Sequence, residues 1–105
     1  MNQEKFIAER RLLFGRADDP VRKELTIRIA APRILDPDSV SFRFDEGTAA
    51  CSAVFEGLDV PHSEVYGIDT LQALRLASDI DPILRGLQKK HDVTFFFPDG
   101  DTYFD

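Results

Sequence analysis

Apolar and polar residues alternate with a period of two in two clear segments of the first half of the chain. Residues 24–30 place Leu25, Ile27 and Ile29 on one face and polar side chains on the other, which predicts a half-buried β-strand. Residues 40–44 repeat the pattern with Val, Phe and Phe on one face and predict a second strand. These two segments indicate a sheet with one buried face.

Two further segments predict strands from weaker patterns. Residues 5–14 have apolar ends around a charged centre, and their alternation breaks at Arg10 and Arg11. A β-bulge at this pair would restore the phase, and a short helix is the alternative for the segment. Residues 61–66 predict a short strand that leads to a glycine.

Two hairpins follow from turn residues beside strand patterns. The loop of residues 45–48 contains a glycine, so we expect residues 49–56 to pair antiparallel with residues 40–44. Residues 93–97 are β-branched and aromatic, and the Pro-Asp-Gly-Asp turn after them, with residues 102–104 behind it, predicts a terminal hairpin. Three consecutive Phe make both faces of this last strand apolar, so we expect it inside the sheet or beneath another layer.

The apolar period changes to a helical one over residues 69–90. Pro82 removes a backbone donor in the middle of this stretch, which favours two helices of about 70–78 and 82–89 over one kinked helix. Both helices share one apolar stripe, made of Leu71, Leu74, Ala77, Ile80, Leu84 and Leu87.

Short polar residues stand where each helix is expected to begin. Asp69 or Thr70 can cap the first helix through a side-chain oxygen. Asp81 can cap the second helix, because Pro82 then occupies the first helical position, where proline is best tolerated.

These elements predict an α+β fold: a mainly antiparallel sheet of five or six strands with one broken helix, about residues 69–90, packed on one face. The chain has 105 residues, of which 43% are hydrophobic and 30% charged, a composition typical of a globular domain. Because no linker or repeat divides it, we expect a single domain over residues 1–105.

The net charge of −6 disfavours binding to nucleic acid or to an anionic membrane, since both require cations that neutralise phosphates. Residues 1–33 carry a net +3 and residues 34–105 a net −9. Strands from both parts mix in one sheet, so these charges can also interleave on its surface. With no run of eighteen apolar residues and no signal-peptide pattern, we expect a cytoplasmic protein.

No pattern in the chain predicts catalysis, a metal or a cofactor. Cys51 has Ala and Val neighbours and is expected to be a small buried side chain. His62 and His91 have no second ligand at the spacing that zinc requires. Asp99 and Asp101 flank a glycine in a turn that lacks the remaining acids of a calcium loop. We therefore expect a protein that is not an enzyme.

Two fragments carry a family resemblance: Ile-Ala-Glu-Arg-Arg-Leu at residues 7–12 and Gly-Ile-Asp-Thr-Leu-Gln-Ala-Leu-Arg-Leu-Ala at residues 67–77. Together they resemble a family of small bacterial proteins defined only as a domain of unknown function. The resemblance implies an α+β fold and a bacterial cytosol, and it assigns no active site.

As a small, acidic, single-domain protein, the chain is also similar in size and charge to the immunity proteins of bacterial toxin systems. Acidic surfaces associate quickly with basic nuclease clefts. We therefore expect a non-enzymatic inhibitor that binds a partner protein with a basic surface. Tyr103, with Phe104, would supply an aromatic anchor beside acids. The predicted partner-binding residues lie in turns and at the chain end: Asp45, Glu46, Glu56, Asp59, Asp99, Asp101 and Tyr103.

Two alternatives remain at this stage. The first is a structural or regulatory module that self-associates through a sheet edge, for instance as a homodimer. The second is a small-ligand binder or enzyme with a pocket between helix and sheet, where Arg28, Arg43 or His62 would supply polar contacts.

Overall fold

The computed structural model describes residues 5–16, 18–36 and 47–104. An antiparallel sheet and two consecutive helices make up this part, so the α+β prediction is confirmed. The elements are β1 (Phe6–Gly15), β2 (Lys23–Ala30), β3 (Arg33–Ile34), β4 (Ala49–Glu56), β5 (Ser63–Gly67), α1 (Thr70–Ser78), α2 (Asp81–His91) and β6 (Thr94–Phe96).

Strand β4 lies at the centre of one half of the sheet. Along one edge it pairs with β5, since both Ala49 and Ala53 have partners there. Along its other edge Ala53 pairs with β2 and Ala49 pairs with β3, so β2 and β3 follow one another on that side. The order across the sheet is therefore β5, β4, β2 with β3, β1 and β6. The predicted partner of β4, residues 40–44, lies outside the described residues.

Strand β1 confirms one part of its prediction and corrects another. The segment is a strand, not a helix, and its pairing with β2 does shift by one residue. The shift lies between Phe6 and Ala8, whereas Arg10 and Arg11 pair in unbroken register with Ile27 and Thr26. The predicted bulge at the two arginines is therefore wrong, because Arg10 simply occupies an apolar-phase position of the strand.

The helix break at Pro82 is confirmed, and one of the two predicted caps is correct. The Asp69 side chain accepts a hydrogen bond from the Gln72 N–H, as an N-cap does. Asp81 is not a cap: Ile80 holds that position, and Asp81 is the first residue of α2, with proline next to it. Its carboxylate is thereby left to bind a side chain elsewhere, as described below.

The core lies between the sheet and the helices. The apolar-phase residues of β2 are buried there, as the alternation predicts, and α1 packs against β4 and β5. The buried cluster combines residues from four strands and both helices: Leu12, Leu25, Ile27, Cys51, Phe55, Ala73, Ala77, Leu84, Leu87 and Phe95.

Strand β6 forms the terminal hairpin that was predicted, but at the margin of the sheet. Phe96 bridges to Thr102, and the Tyr103 N–H donates to the Phe95 carbonyl at 2.9 Å. Phe95 is fully buried, whereas Phe97 is 39% exposed. The expectation that all three rings would be enclosed is wrong for Phe97, because the strand ends before it and the turn begins.

None of the helices in the described ranges is long and apolar enough to cross a membrane.

Candidate functional site

The turn after β6 holds two exposed acids in a fixed backbone conformation. The Phe97 N–H donates to the Asp101 carbonyl at 2.7 Å, and the Gly100 N–H donates to the Phe97 carbonyl at 2.9 Å. Gly100 has φ +100°, which favours glycine. Asp99 accepts the Asp101 N–H at 3.0 Å, and no described cation forms an ion pair with either acid. The backbone of the turn is therefore fixed, and both carboxylates are exposed to a partner.

Tyr103 joins three distant parts of the chain through its hydroxyl group. The hydroxyl donates to Oδ1 of Asp81 at 2.6 Å and accepts a hydrogen bond from the Arg10 guanidinium, also at 2.6 Å. The ring lies 5.1 Å from the Phe97 ring and 4.8 Å from the Phe104 ring, between ring centroids. Tyr103 thus ties the C-terminal segment to β1 and to the first residue of α2.

Burial raises the pKa of the Tyr103 hydroxyl above its usual value of 10.0, and the hydrogen bond to Asp81 raises it further, while Arg10 opposes both. Above pH 10 the unfolded chain loses this proton while the folded chain still holds it, so stability falls as the pH rises. We expect Tyr103→Phe to remove that contribution and to cost about 1 kcal/mol at neutral pH. Urea unfolding of both proteins from pH 8 to 11 measures this, and parallel pH profiles would contradict it.

The terminal aromatic pair is less available than the sequence suggested. Tyr103 is half-buried and its hydroxyl is occupied on both sides. Phe104 is also half-buried, with the Arg85 guanidinium 4.2 Å from its ring centroid. The more exposed ring beside the acids is Phe97. We define Phe97, Asp99 and Asp101 as the acidic corner.

The other predicted acids lie away from the acidic corner. Glu56 ends β4, and its carboxylate pairs with Arg28 at 2.5 Å. Asp59 is exposed in the following loop. Three strand spacings, roughly 14 Å, separate β4 from β6. Asp45 and Glu46 lie outside the described residues. Of the described members of the predicted set, Asp99, Asp101 and Tyr103 lie together in one segment, and Glu56 and Asp59 lie in another.

The polar residues considered for a pocket between helix and sheet are not in one. Arg28 alternates with the buried Ile27, so it lies on the face away from the helices, where it binds Glu9 and Glu56. His62 is exposed in the loop before β5. Arg43 lies outside the described residues. For Arg28 and His62 the pocket prediction is wrong, because strand alternation and loop position direct them elsewhere.

A small groove of about 130 Å³ lies between the N-terminal half of β1 and the junction of α1 and α2. Its apolar floor is interrupted by the Arg10 side chain. Arg10 was not predicted as a site residue, although the sequence does carry a signal: it is the one charged residue in the apolar phase of β1, between Ala8 and Leu12. The residues lining the groove are Ala8, Glu9, Arg10, Ile27, Ile29, Ser78 and Ile80.

Cys51 is fully buried, as predicted, and its thiol donates to the Ala30 carbonyl at 3.2 Å. His91 ends α2, and its Nε2 atom is buried without a hydrogen-bond partner in the part of the chain that the structure describes. In that same part, no three His, Cys, Asp or Glu side chains are grouped as metal ligands would be.

Comparisons with protein-family models, with curated proteins and with solved structures return no match to this chain. Its function must therefore be inferred from its own residues.

Proposed function

We propose that this protein is a non-enzymatic binding domain, an immunity protein or inhibitor that neutralises a bacterial toxin or effector through an acidic surface. The observation that carries the proposal is the acidic corner. Its two aspartates are exposed, held by backbone hydrogen bonds and unpaired with any described cation. Acids fixed in this way lose little conformational freedom when they meet a basic surface.

The electrostatics of the whole chain support the same partner class. The net charge of −6 attracts a basic protein at a distance and repels nucleic acid. By contrast, the acid at Glu56 is already neutralised by Arg28, so it offers less to an incoming cation. We therefore place the interface at Asp99 and Asp101.

Phe97 adds an apolar contact to the same corner. Its ring is 39% exposed and packs against Tyr103, which is in turn fixed by Asp81 and Arg10. A rigid aromatic side chain beside charges is a common anchor in protein interfaces. The partner that suits this corner is a protein whose Lys or Arg side chains flank an apolar pocket.

The test reverses the charge of the corner. We expect the Asp99→Lys, Asp101→Lys double variant to lose a partner that the wild-type protein captures from its native host. The same partner should also dissociate in 0.5 M salt, where the screening length falls to roughly 4 Å. Pull-down at low and high salt, followed by mass spectrometry of the captured protein, measures both effects.

The matched control makes the same charge change at the other predicted acids, as the Glu56→Lys, Asp59→Lys double variant. We expect this control to keep the partner, because it leaves the acidic corner intact. Equal loss in both variants would mean that only net charge matters. Retention of every partner by the corner variant would exclude this interface.

A self-associating module is the second candidate, favoured by exposed aliphatic side chains at and just before α1. Ile68 and Leu71 are each 74% exposed, and Leu76 is 46% exposed. Ile68 precedes α1, and Leu71 lies in its first turn on the side away from the buried Ala73 and Ala77. A stable dimer in light scattering, with no other partner captured, would favour this candidate over the inhibitor.

A further inference from the structure

The direction of the backbone groups along β1 follows from one hydrogen bond in the terminal hairpin. The Phe95 carbonyl accepts the Tyr103 N–H, so the peptide groups of Phe95 point away from β1. The direction of the peptide groups alternates from residue to residue along antiparallel strands. Leu13 pairs with Phe96, the residue after Phe95, so the peptide groups of Leu13 point toward β6. Continuing up β1, Arg11 and Glu9 also point their N–H and C=O groups to this outer side.

Pairing on the outer side of β1 stops where a proline begins. The register that pairs Leu13 with Phe96 places Pro98 opposite Arg11, and Pro98 lies beside Arg11 in a shared surface groove. Proline has no N–H to donate, so the ladder ends there. Of the described residues, only those of β6 pair with this side of β1, and only over Leu13–Gly15. Within the described part of the chain, the outer peptide groups of Glu9 and Arg11 thus have no partner strand.

The open stretch is basic on a protein that is otherwise acidic. Residues 5–12 carry Lys5, Arg10 and Arg11 against the single acid Glu9. The Glu9 carboxylate lies 3.4 Å from Arg28 and 3.8 Å from Arg11, and residues 5–12 keep a net charge of +2. The excess positive charge matches an acidic segment, whereas the acidic corner matches a basic one.

Apolar side chains flank the same stretch. Phe6 and Ile7 are 40% and 47% exposed, and the groove floored by Ile27 and Ile29 opens beside Arg10. A strand added to the outer side of β1 would turn every second side chain toward the face of the sheet that carries this groove. The groove holds about 130 Å³, which suits one small aliphatic side chain at a time.

We propose that the outer edge of β1, from Phe6 to Leu12, is a docking site for an extended acidic segment of a partner protein, which adds to the sheet as a further strand. Main-chain hydrogen bonds to Glu9 and Arg11 would give affinity. The groove would select aliphatic side chains on one face of the added strand, and Arg11 would select acidic ones on the other. This surface and its charge preference differ from those of the proposed function, so either can fail alone.

A second copy of this chain is a poorer occupant than an acidic partner. When two identical strands pair antiparallel about a two-fold axis, the residue on the axis faces its own copy. An axis at Glu9, Arg10 or Arg11 would therefore place like charges directly opposite each other, which is destabilising.

The experiment uses a synthetic heptapeptide of alternating Val and Glu, and compares Arg11→Pro with Arg11→Ala. Both variants lose the side-chain charge, but only proline removes the outward N–H, and the pairing of β1 with β2 is kept. We expect the proline variant to bind the peptide about tenfold more weakly than the alanine variant, the effect of one lost hydrogen bond and its unsatisfied partner. Amide chemical shifts in NMR titrations measure binding and fold together.

Two peptide controls need no protein variant, in case Arg11→Pro does not fold. Methylation of every second backbone nitrogen can be made in two versions of the Val-Glu peptide, and the version that blocks the nitrogens facing β1 should not bind the wild-type protein. A Val-Lys peptide should bind at least tenfold more weakly than the Val-Glu peptide. Shifts at the Glu9 and Arg11 amides would support the proposal. Four results would overturn the proposal: equal binding of the Val-Lys peptide, chemical-shift changes confined to other surfaces, no binding of the Val-Glu peptide, or a dimer that Arg11→Pro dissociates.

Discussion

Replacing Phe95 with alanine is expected to reduce the free energy of unfolding by about 3–5 kcal/mol, the cost of emptying a fully buried aromatic site. Phe95 pairs with Phe14 and belongs to the cluster that the helices share with the sheet. A chain of this length has roughly 5–15 kcal/mol of stability in total, so most of it could be lost. Urea unfolding followed by circular dichroism measures the change as a lower midpoint.

Phe97 provides the matched control, since it is the same residue type two positions along the same segment. Its ring is 39% exposed and its main aromatic contact is Tyr103, so Phe97→Ala is expected to cost only about 1 kcal/mol. Equal losses for the two alanine variants would show that the hairpin does not seat Phe95 in the core. The comparison also checks that Phe97 is free to serve in the acidic corner.

Gly67→Ala is expected to destabilise the protein by about 2–3 kcal/mol through overpacking. A Cβ atom at Gly67 would lie 2.6 Å from the backbone nitrogen of Ala73 and 3.0 Å from the Gln72 carbonyl carbon. These atoms belong to α1 and cannot rotate away as a side-chain tip would. The substitution therefore forces α1 away from β5, and thermal or urea unfolding should record a lower midpoint.

Gly86→Ala is the opposite case within the same pair of helices. Gly86 lies in α2, and a Cβ atom there would meet nothing within 4 Å. Because alanine favours the helix more than glycine does, we expect a gain of about 0.5–1 kcal/mol. If Gly67→Ala also stabilised the protein, the close approach of α1 to β5 would be wrong.

The two proposed surfaces differ in their structure and can be altered independently. The acidic corner sits on a turn closed by its own hydrogen bonds, whereas the β1 edge beyond Pro98 has no partner strand among the described residues. Charge reversal at Asp99 and Asp101 leaves the β1 edge unchanged, and substitution of Arg11 leaves the corner unchanged. The two sets of variants therefore test separate interfaces.

Several elements could be predicted from residue pattern because their signals are local. Alternation over residues 24–30 predicted β2, and the helical period with Pro82 predicted α1, α2 and their separation. The turn chemistry after Phe97 predicted the terminal hairpin. Each depends on the conformational preferences of neighbouring residues, which a sequence displays directly.

The candidate site could be predicted only in part, because charge in a turn does not reveal its partners. Asp99 and Asp101 were predicted and are exposed, but Glu56 is paired with an arginine from β2, 28 positions away. Tyr103 was predicted to face a partner, and its hydroxyl instead binds Arg10 and Asp81. Such pairings join residues that are distant in the chain, so no local pattern predicts them.

The sequence by itself determined the α+β class, the positions of most strands and helices, the burial of Cys51 and the acidic character of the chain. These properties follow from period, turn residues and composition. Only the tertiary structure decided that β6 pairs with β1 over Leu13–Gly15 alone, which leaves the rest of that edge without a partner strand among the described residues, and that Tyr103 is tied to Asp81. Both depend on strand register and on contacts across the fold, which are set by the packing of the whole core.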